Sequence, residues 1–180
     1  MGHSCNGLNE TGHSQADLLG AHLGTRPNLW SSDVQRARET AERIGEPNLT
    51  DGLREVYFGS WEGLTNREVM ERDPHMATRI YRDREDLPRG GDGESWEMLT
   101  KRVVGTVDGI LADTDGDVTL VSHGSAIRSW LLDAMELGWE SSPRLGLLPN
   151  TGYARVIQSP WRWQIFDYGV APHLGNEPGR

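Results

Sequence analysis

The chain has 180 residues, a mass of 20.1 kDa and a net charge of -9 from 18 basic and 27 acidic residues. That length predicts a single domain over 1–180, and the acidic balance excludes a nucleic-acid binder that relies on a general basic field. No apolar run approaches the ~18–20 residues of a membrane span, and the N-terminus lacks the basic start and apolar core of a signal peptide.

In chain order, Asn9–Leu23 reads as a helix capped by Asn9 or Thr11, with Ala16, Leu19 and Leu23 at helical spacing. Asn28–Ser31 is a short strand. Asp33–Ile44 follows as a helix capped by Ser32 or Asp33. Leu53–Phe58 is extended or irregular, Asn66–Arg72 and Pro74–Arg84 are charged helices, and Pro88–Gly93 is a Pro/Gly-rich loop. Ser95 caps a long helix on which Trp96, Leu99, Val103, Val107 and Ile110 form one buried stripe. Val118–Val121 is an apolar strand that ends at Ser122-His123-Gly124, and Ala126–Met135 is the next helix. Gly152–Ile157 and Trp161–Tyr168 are strands joined at Ser159-Pro160, and 172–180 is a tail that frays. The alternation predicts a three-layer α/β domain, a mostly parallel sheet flanked by helices. In such sheets sites lie at the carboxyl ends of strands.

Cys5 is the only cysteine, which excludes an internal disulfide or a multi-thiolate metal site within one chain. A cytoplasmic protein is expected. Of the 18 basic residues only Lys101 is a lysine. The arginines suit a genome rich in G and C, or a need for planar forks that grip oxyanions.

Four segments are candidates for chemistry. His123 follows a strand and opens a helix, where backbone N–H groups favour an anion and a histidine can donate, accept or attack. Arg36 and Arg38 lie two apart at a helix start, so only one of them faces a site. Glu55 and Glu62 stand among Tyr57, Phe58 and Trp61, where an acid held against aromatic walls has a raised pKa and serves as a general acid. Gly90-Gly91-Asp92-Gly93-Glu94-Ser95 lacks the Lys-Ser/Thr of a phosphate loop and reads as a loop plus helix cap.

Taken together, the order Leu-Asn-Glu-Thr-Gly, Ser-Ser-Asp-x-Gln-Arg-Ala-Arg-Glu-Thr-Ala, Leu-Arg-Glu-x-x-Phe-Gly-x-Trp-Glu-Gly-Leu-Thr, Gly-Glu-Ser and Ser-His-Gly resembles the histidine phosphatases, or phosphoglycerate mutase-like proteins. The resemblance covers residues 2–157. It implies transfer of a phosphoryl group to a histidine and then to water, with no cofactor or metal, on a small phosphorylated metabolite. It marks Arg36 as the arginine that grips the phosphate and His123 as the histidine that hydrogen-bonds it. Glu55 matches the acid that protonates the leaving oxygen, and the Gly124 backbone matches a part of the pocket. Phosphoryl transfer needs little more than such positioned donors.

The family's Arg-His-Gly motif, whose histidine is the nucleophile, does not occur in the chain. The opening Met-Gly-His-Ser-Cys-Asn-Gly resembles the segment downstream of that motif, with Cys5 and Gly7 where Asp and Pro are common. The chain is therefore expected to begin after the family's first strand, to be marginally stable or unfolded, and to be inactive as written. A misplaced start, a truncated gene and a non-catalytic relative that binds a phosphorylated ligand or a partner all remain open. His3 has too little chain before it to sit on a strand and is expected to fray. The family's mutases carry an arginine directly after the acid. Here Val56 stands there, which favours a phosphatase over a mutase. The sequence sets no oligomeric state.

Overall fold

The computed structural model describes residues 2–3 and 7–175. Cys5, Met1 and the end of the expected tail, 176–180, lie outside the described residues. Helix α1 spans Glu10–Leu23, with the Asn9 side chain accepting from the Gly12 N–H at 2.8 Å. Strand β1 is Leu29–Ser32, α2 Gln35–Ala41 and β2 Asn48–Thr50. Two short helices follow, α3 (Asn66–Arg72) and α4 (Pro74–Tyr81), then the long α5 (Trp96–Ala112). Strand β3 (Thr119–Val121) leads directly into α6 (Gly124–Ala134), and β4 (Tyr153–Gln158) and β5 (Trp163–Val170) close the chain.

The first three strands form a parallel sheet in the order β2-β1-β3, with Trp30 opposite both Asn48 and Leu120. β4 and β5 pair antiparallel in a sheet of their own. Alternation along the strands sorts the core onto two faces. Trp30 and Leu120 pack with the α5 stripe, Leu53, Val56 and the α6 residues Ala126 and Leu132. Leu29 and Val121 point the other way, to Leu19 of α1, Ala41 of α2 and Ile44. All five residues of the expected α5 stripe are buried. A third cluster, Trp61, Val69, Ala77 and Ile80, is built on α3 and α4. Gly20 lets α1 approach the chain after α2, because a Cβ there would lie 2.1 Å from the Arg43 carbonyl oxygen.

Three expectations are corrected. Helix α2 is shorter than Asp33–Ile44, and its N-cap is Val34, which makes no side-chain cap bond. The expected caps are engaged elsewhere: Asp33 pairs with Arg54, and the Ser32 hydroxyl meets His123. α6 begins at Gly124 rather than Ala126, so His123 itself is the N-cap. The start of the expected fraying tail is ordered: Pro172–Leu174 forms a turn, His173 Nε2 meets Thr151 Oγ1 at 2.9 Å, and the His173 ring stacks on His22 of α1.

Candidate active site

The parallel register sets Ser31 of β1 opposite Val121 of β3, so the two strands end side by side. β1 ends on Ser32 and leads to Arg36 in α2, and the chain beyond β3 carries His123. Ser32 is fully buried and His123 is 7% exposed. His123 Nε2 lies 2.9 Å from Ser32 Oγ, and Arg36 Nη2 lies 3.0 Å from His123 Nδ1. A guanidinium can only donate, so Nδ1 accepts and the ring proton sits on Nε2, directed at the serine oxygen. Burial, with the Arg36 charge next in weight, lowers the His123 pKa from 6.5 to about 3. The imidazole is therefore neutral. Arg36 also donates to the Gly2 carbonyl at 2.9 Å. Arg38 faces away, as the spacing required, and pairs with Glu42 at 3.4 Å on the surface.

Glu55 reaches the same place from a different segment. One carboxylate oxygen accepts from its neighbour Val56 N–H at 2.8 Å, the other from Ser125 N–H at 3.1 Å, in the first turn of α6. A carboxylate there is favoured by the helix dipole. The expected aromatic wall does not hold this carboxylate; backbone N–H groups do. Trp61 is buried with Val69 and Ile80, while Tyr57 lies against His3, ring centres 5.2 Å apart. Glu62 instead accepts from the backbone N–H groups of Phe58 and His3. Gly124 opens α6 beside free space, with nothing within 4 Å of where a Cβ would stand. The 89–93 loop folds on Gly59, whose Cβ would meet Gly93 N at 2.5 Å, and Ser95 caps α5, as expected of a loop and cap.

Three contributors were not assigned to the site from the sequence. Ser32 orients His123. Arg102, on α5, donates to the carbonyls of Gly52, Arg54 and Glu55 at 2.9, 3.1 and 3.2 Å, and pairs with Glu94 at 2.7 Å. It pins the Glu55 segment in place. Burial opposes ionisation of Glu94, yet Arg102 and the Tyr57 N–H hold its carboxyl below the usual carboxylate range. The third contributor is the Gly2-His3 pair. Gly2 is buried, and His3 Nε2 lies 2.6 Å from the Glu55 carbonyl oxygen, so these residues are seated against the site where fraying was expected. Beside them His3, Asp51, Arg54, Tyr57, Glu94 and Arg102 line a cleft of about 290 Å³. Among the described residues no three His, Cys, Asp or Glu side chains converge to hold a metal ion.

The model of the histidine phosphatase superfamily (branch 1) matches residues 2–170. The chain belongs to the histidine phosphatase superfamily. Among its relatives is a metal-independent phosphoserine phosphatase of Arabidopsis thaliana, 28% identical over 94% of this chain and 73% of that protein. A glucosyl-3-phosphoglycerate phosphatase of Mycolicibacterium vanbaalenii is 29% identical over 94% of this chain and 86% of that protein. Among solved structures, the complex of a mycobacterial glucosyl-3-phosphoglycerate phosphatase with inorganic phosphate is similar at a TM-score of 0.82 and 27% identity. It is matched over 96% of this chain and 92% of that one. The fold of this histidine phosphatase is thus the α/β fold expected. Arg36, Glu55 and His123 come together at one end of the sheet from positions 19 and 68 residues apart along the chain. No described helix is long and apolar enough to cross a membrane.

Proposed function

We propose that this site holds the phosphoryl group of a small phosphomonoester for hydrolysis through a phosphohistidine. The observation that carries the reading is the Arg36–His123 pair: a cation and an imidazole 3.0 Å apart, with no carboxylate matched to Arg36 among the described residues. A phosphate entering there takes the guanidinium fork and supplies the missing negative charge. That charge raises the His123 pKa, so the imidazole gains a proton and donates to the anion. Gly124, at the start of α6, offers backbone to an anion in open space.

With the nucleophilic histidine of the Arg-His-Gly motif in place, that histidine would attack phosphorus and the substrate oxygen would depart with a proton from Glu55. Water then attacks the phosphohistidine, gives its proton to Glu55, and releases phosphate. Its bonds to the Val56 and Ser125 N–H groups fix the position of the Glu55 side chain at the start of α6. A hydrolase is favoured over a mutase because Val56 is 3% exposed and packed in the core, leaving no basic group directly after the acid. The relatives act on phosphoserine and glucosyl-3-phosphoglycerate, both phosphomonoesters of small acids, and this chain is assigned a substrate of that kind.

The chain holds no Arg-His-Gly, and His3 Nε2 is engaged by the Glu55 carbonyl. The 180-residue chain is therefore proposed to bind phosphate without turnover. The test is calorimetric titration with phosphate and vanadate, beside assays on p-nitrophenyl phosphate and phosphoserine. Binding without hydrolysis supports the reading. Hydrolysis abolished by His3→Ala would make His3 the nucleophile and contradict the inactivity. No binding of either anion overturns the site.

A further inference from the structure

The strands lie in two separate sheets, and each sheet has an unpaired edge that meets the same helices. β3 pairs with β1 alone and β4 with β5 alone, so among the described residues no strand bonds the far side of either. Val121 of β3 and Tyr153 of β4 pack on one cluster, with Leu19 of α1 and Ile44. His22 of α1 also meets the Tyr153 hydroxyl at 3.3 Å. On the opposite face Leu120 of β3 packs on the same cluster as Trp130 of α6, and Trp130 meets Trp163 of β5 edge to face, ring centres 5.0 Å apart. β3 and the β4–β5 hairpin are thus held between the same two helices, α1 and α6, without bonding each other.

The ladder shows which groups face the open side. The Thr119 N–H donates to the Asn28 carbonyl at 2.9 Å, toward β1. Along a parallel strand alternate residues turn their N–H and C=O to the same neighbour, so Leu120 turns both away from β1. Leu120 is half-buried, as are Thr119 and Val121, although core residues cover both faces of the strand. In β1, which has a strand on each side, Leu29, Ser31 and Ser32 are buried. The exposure of β3 is therefore at its edge. Peptide groups removed from water without partners cost free energy. A row of them at strand spacing is answered by another extended backbone about 4.8 Å away.

We infer that the interval between β3 and β4 is a docking site for one extended peptide segment of a partner chain, which adds as a strand beside β3. Its surroundings set the chemistry of that segment. One face of the added strand meets the side of Leu19, Val121 and Tyr153, and the other meets the side of Leu120 and Trp130. A strand covered on both faces is apolar at successive positions rather than alternate ones. About five residues suffice for such a strand. None of them is a proline, because the segment must donate its N–H groups to the ladder. β3 runs directly to His123, so one end of the docked segment lies against the candidate active site.

The test uses the 180-residue chain and three synthetic peptides, each flanked by lysines for solubility. The first has a core of five valines and leucines, the second carries proline at the centre of that core, and the third has serine at alternate positions. Backbone amide exchange is followed by NMR. At saturation the first peptide should slow exchange of the Leu120 amide at least about tenfold, while Leu49, on the open edge of β2, is unchanged. The proline and serine peptides should bind about tenfold more weakly or worse, the effect of a lost ladder bond or an unsatisfied buried hydroxyl. Trp161→Ser, which removes the 90% exposed indole at the hairpin tip, should leave binding of the first peptide as it was. No binding, equal binding of all three peptides, or protection at Leu49 in place of Leu120 overturns the inference. So does a chain that is dimeric by light scattering with Leu120 already protected, because a second copy then fills the interval. If the chain alone gives no dispersed spectrum, the first peptide should restore one by mass action, and a chain that stays unfolded with it overturns the inference.

Discussion

Arg36 Nη2 and His123 Nδ1 stand 3.0 Å apart, the guanidinium donating to the imidazole. The contact fixes the tautomer, because the nitrogen that accepts from arginine cannot carry a proton. It also sets a condition for protonating His123. A second positive charge beside Arg36 becomes favourable only with an anion between them.

The first consequence is spectroscopic. His123 should show no titration near pH 6.5 and should stay neutral, with its proton on Nε2, down to well below pH 5. Histidine ring ¹⁵N spectra across this range read both features. Saturating phosphate should move the titration upward. A His123 midpoint near 6.5 without ligand would contradict the burial and charge argument.

Stability should fall in acid, and the sign follows from the same shift. His123 titrates at 6.5 when unfolded and at about 3 when folded. Between those values the unfolded chain binds more protons, so stability is full above pH 6.5 and declines toward pH 3, at up to about 1.4 kcal/mol per unit. Asp33, held low by Arg54, and Glu94, held low by Arg102 against its burial, act in the same direction, but only in and below the carboxylate range. Urea unfolding at pH 7, 6 and 5 should show the decline, and His123→Asn should flatten it. An unchanged slope in that variant would remove His123 as its source.

Ser32→Ala should leave the His123 Nε2–H unpartnered in a buried place, at a cost of about 1–3 kcal/mol. Ser31→Ala is the control. That hydroxyl, equally buried, donates to the Ser32 carbonyl at 2.9 Å and does not touch the imidazole. Both variants lose stability, but only Ser32→Ala should move the His123 ring signals and weaken phosphate binding. Identical behaviour of the two would make Ser32 a packing residue only.

Arg102→Met should release the Glu55 segment and strand Glu94, which is 14% exposed at its side chain. Breaking a largely buried pair in this way costs on the order of 3 kcal/mol. Leu99→Ala, in the fully buried centre of α5, should cost about 2–5 kcal/mol. The two are told apart by NMR: Arg102→Met shifts the Ser125 amide, which bonds Glu55, whereas Leu99→Ala leaves it in place.

These residues also mark what the sequence could convey. The stripe Trp96, Leu99, Val103, Val107 and Ile110 was legible because spacing along one helix reports burial directly. Arg36, Glu55 and His123 were legible because each sits in a motif with its neighbours. Ser32 and Arg102 were not, because their partners lie 91 and 47 residues away and no local pattern encodes the meeting. The α2 cap was misread for the same reason: Asp33 is a good cap by type, but Arg54 takes its carboxylate.

The most direct measurement is a titration of the chain with inorganic phosphate, followed through the His123 ring signals and compared with Arg36→Met. The account predicts a saturable shift of His123 with proton uptake, weakened at least about tenfold in Arg36→Met, the effect of removing a charged hydrogen bond. Phosphate that leaves His123 unmoved, or binds Arg36→Met equally well, would contradict it.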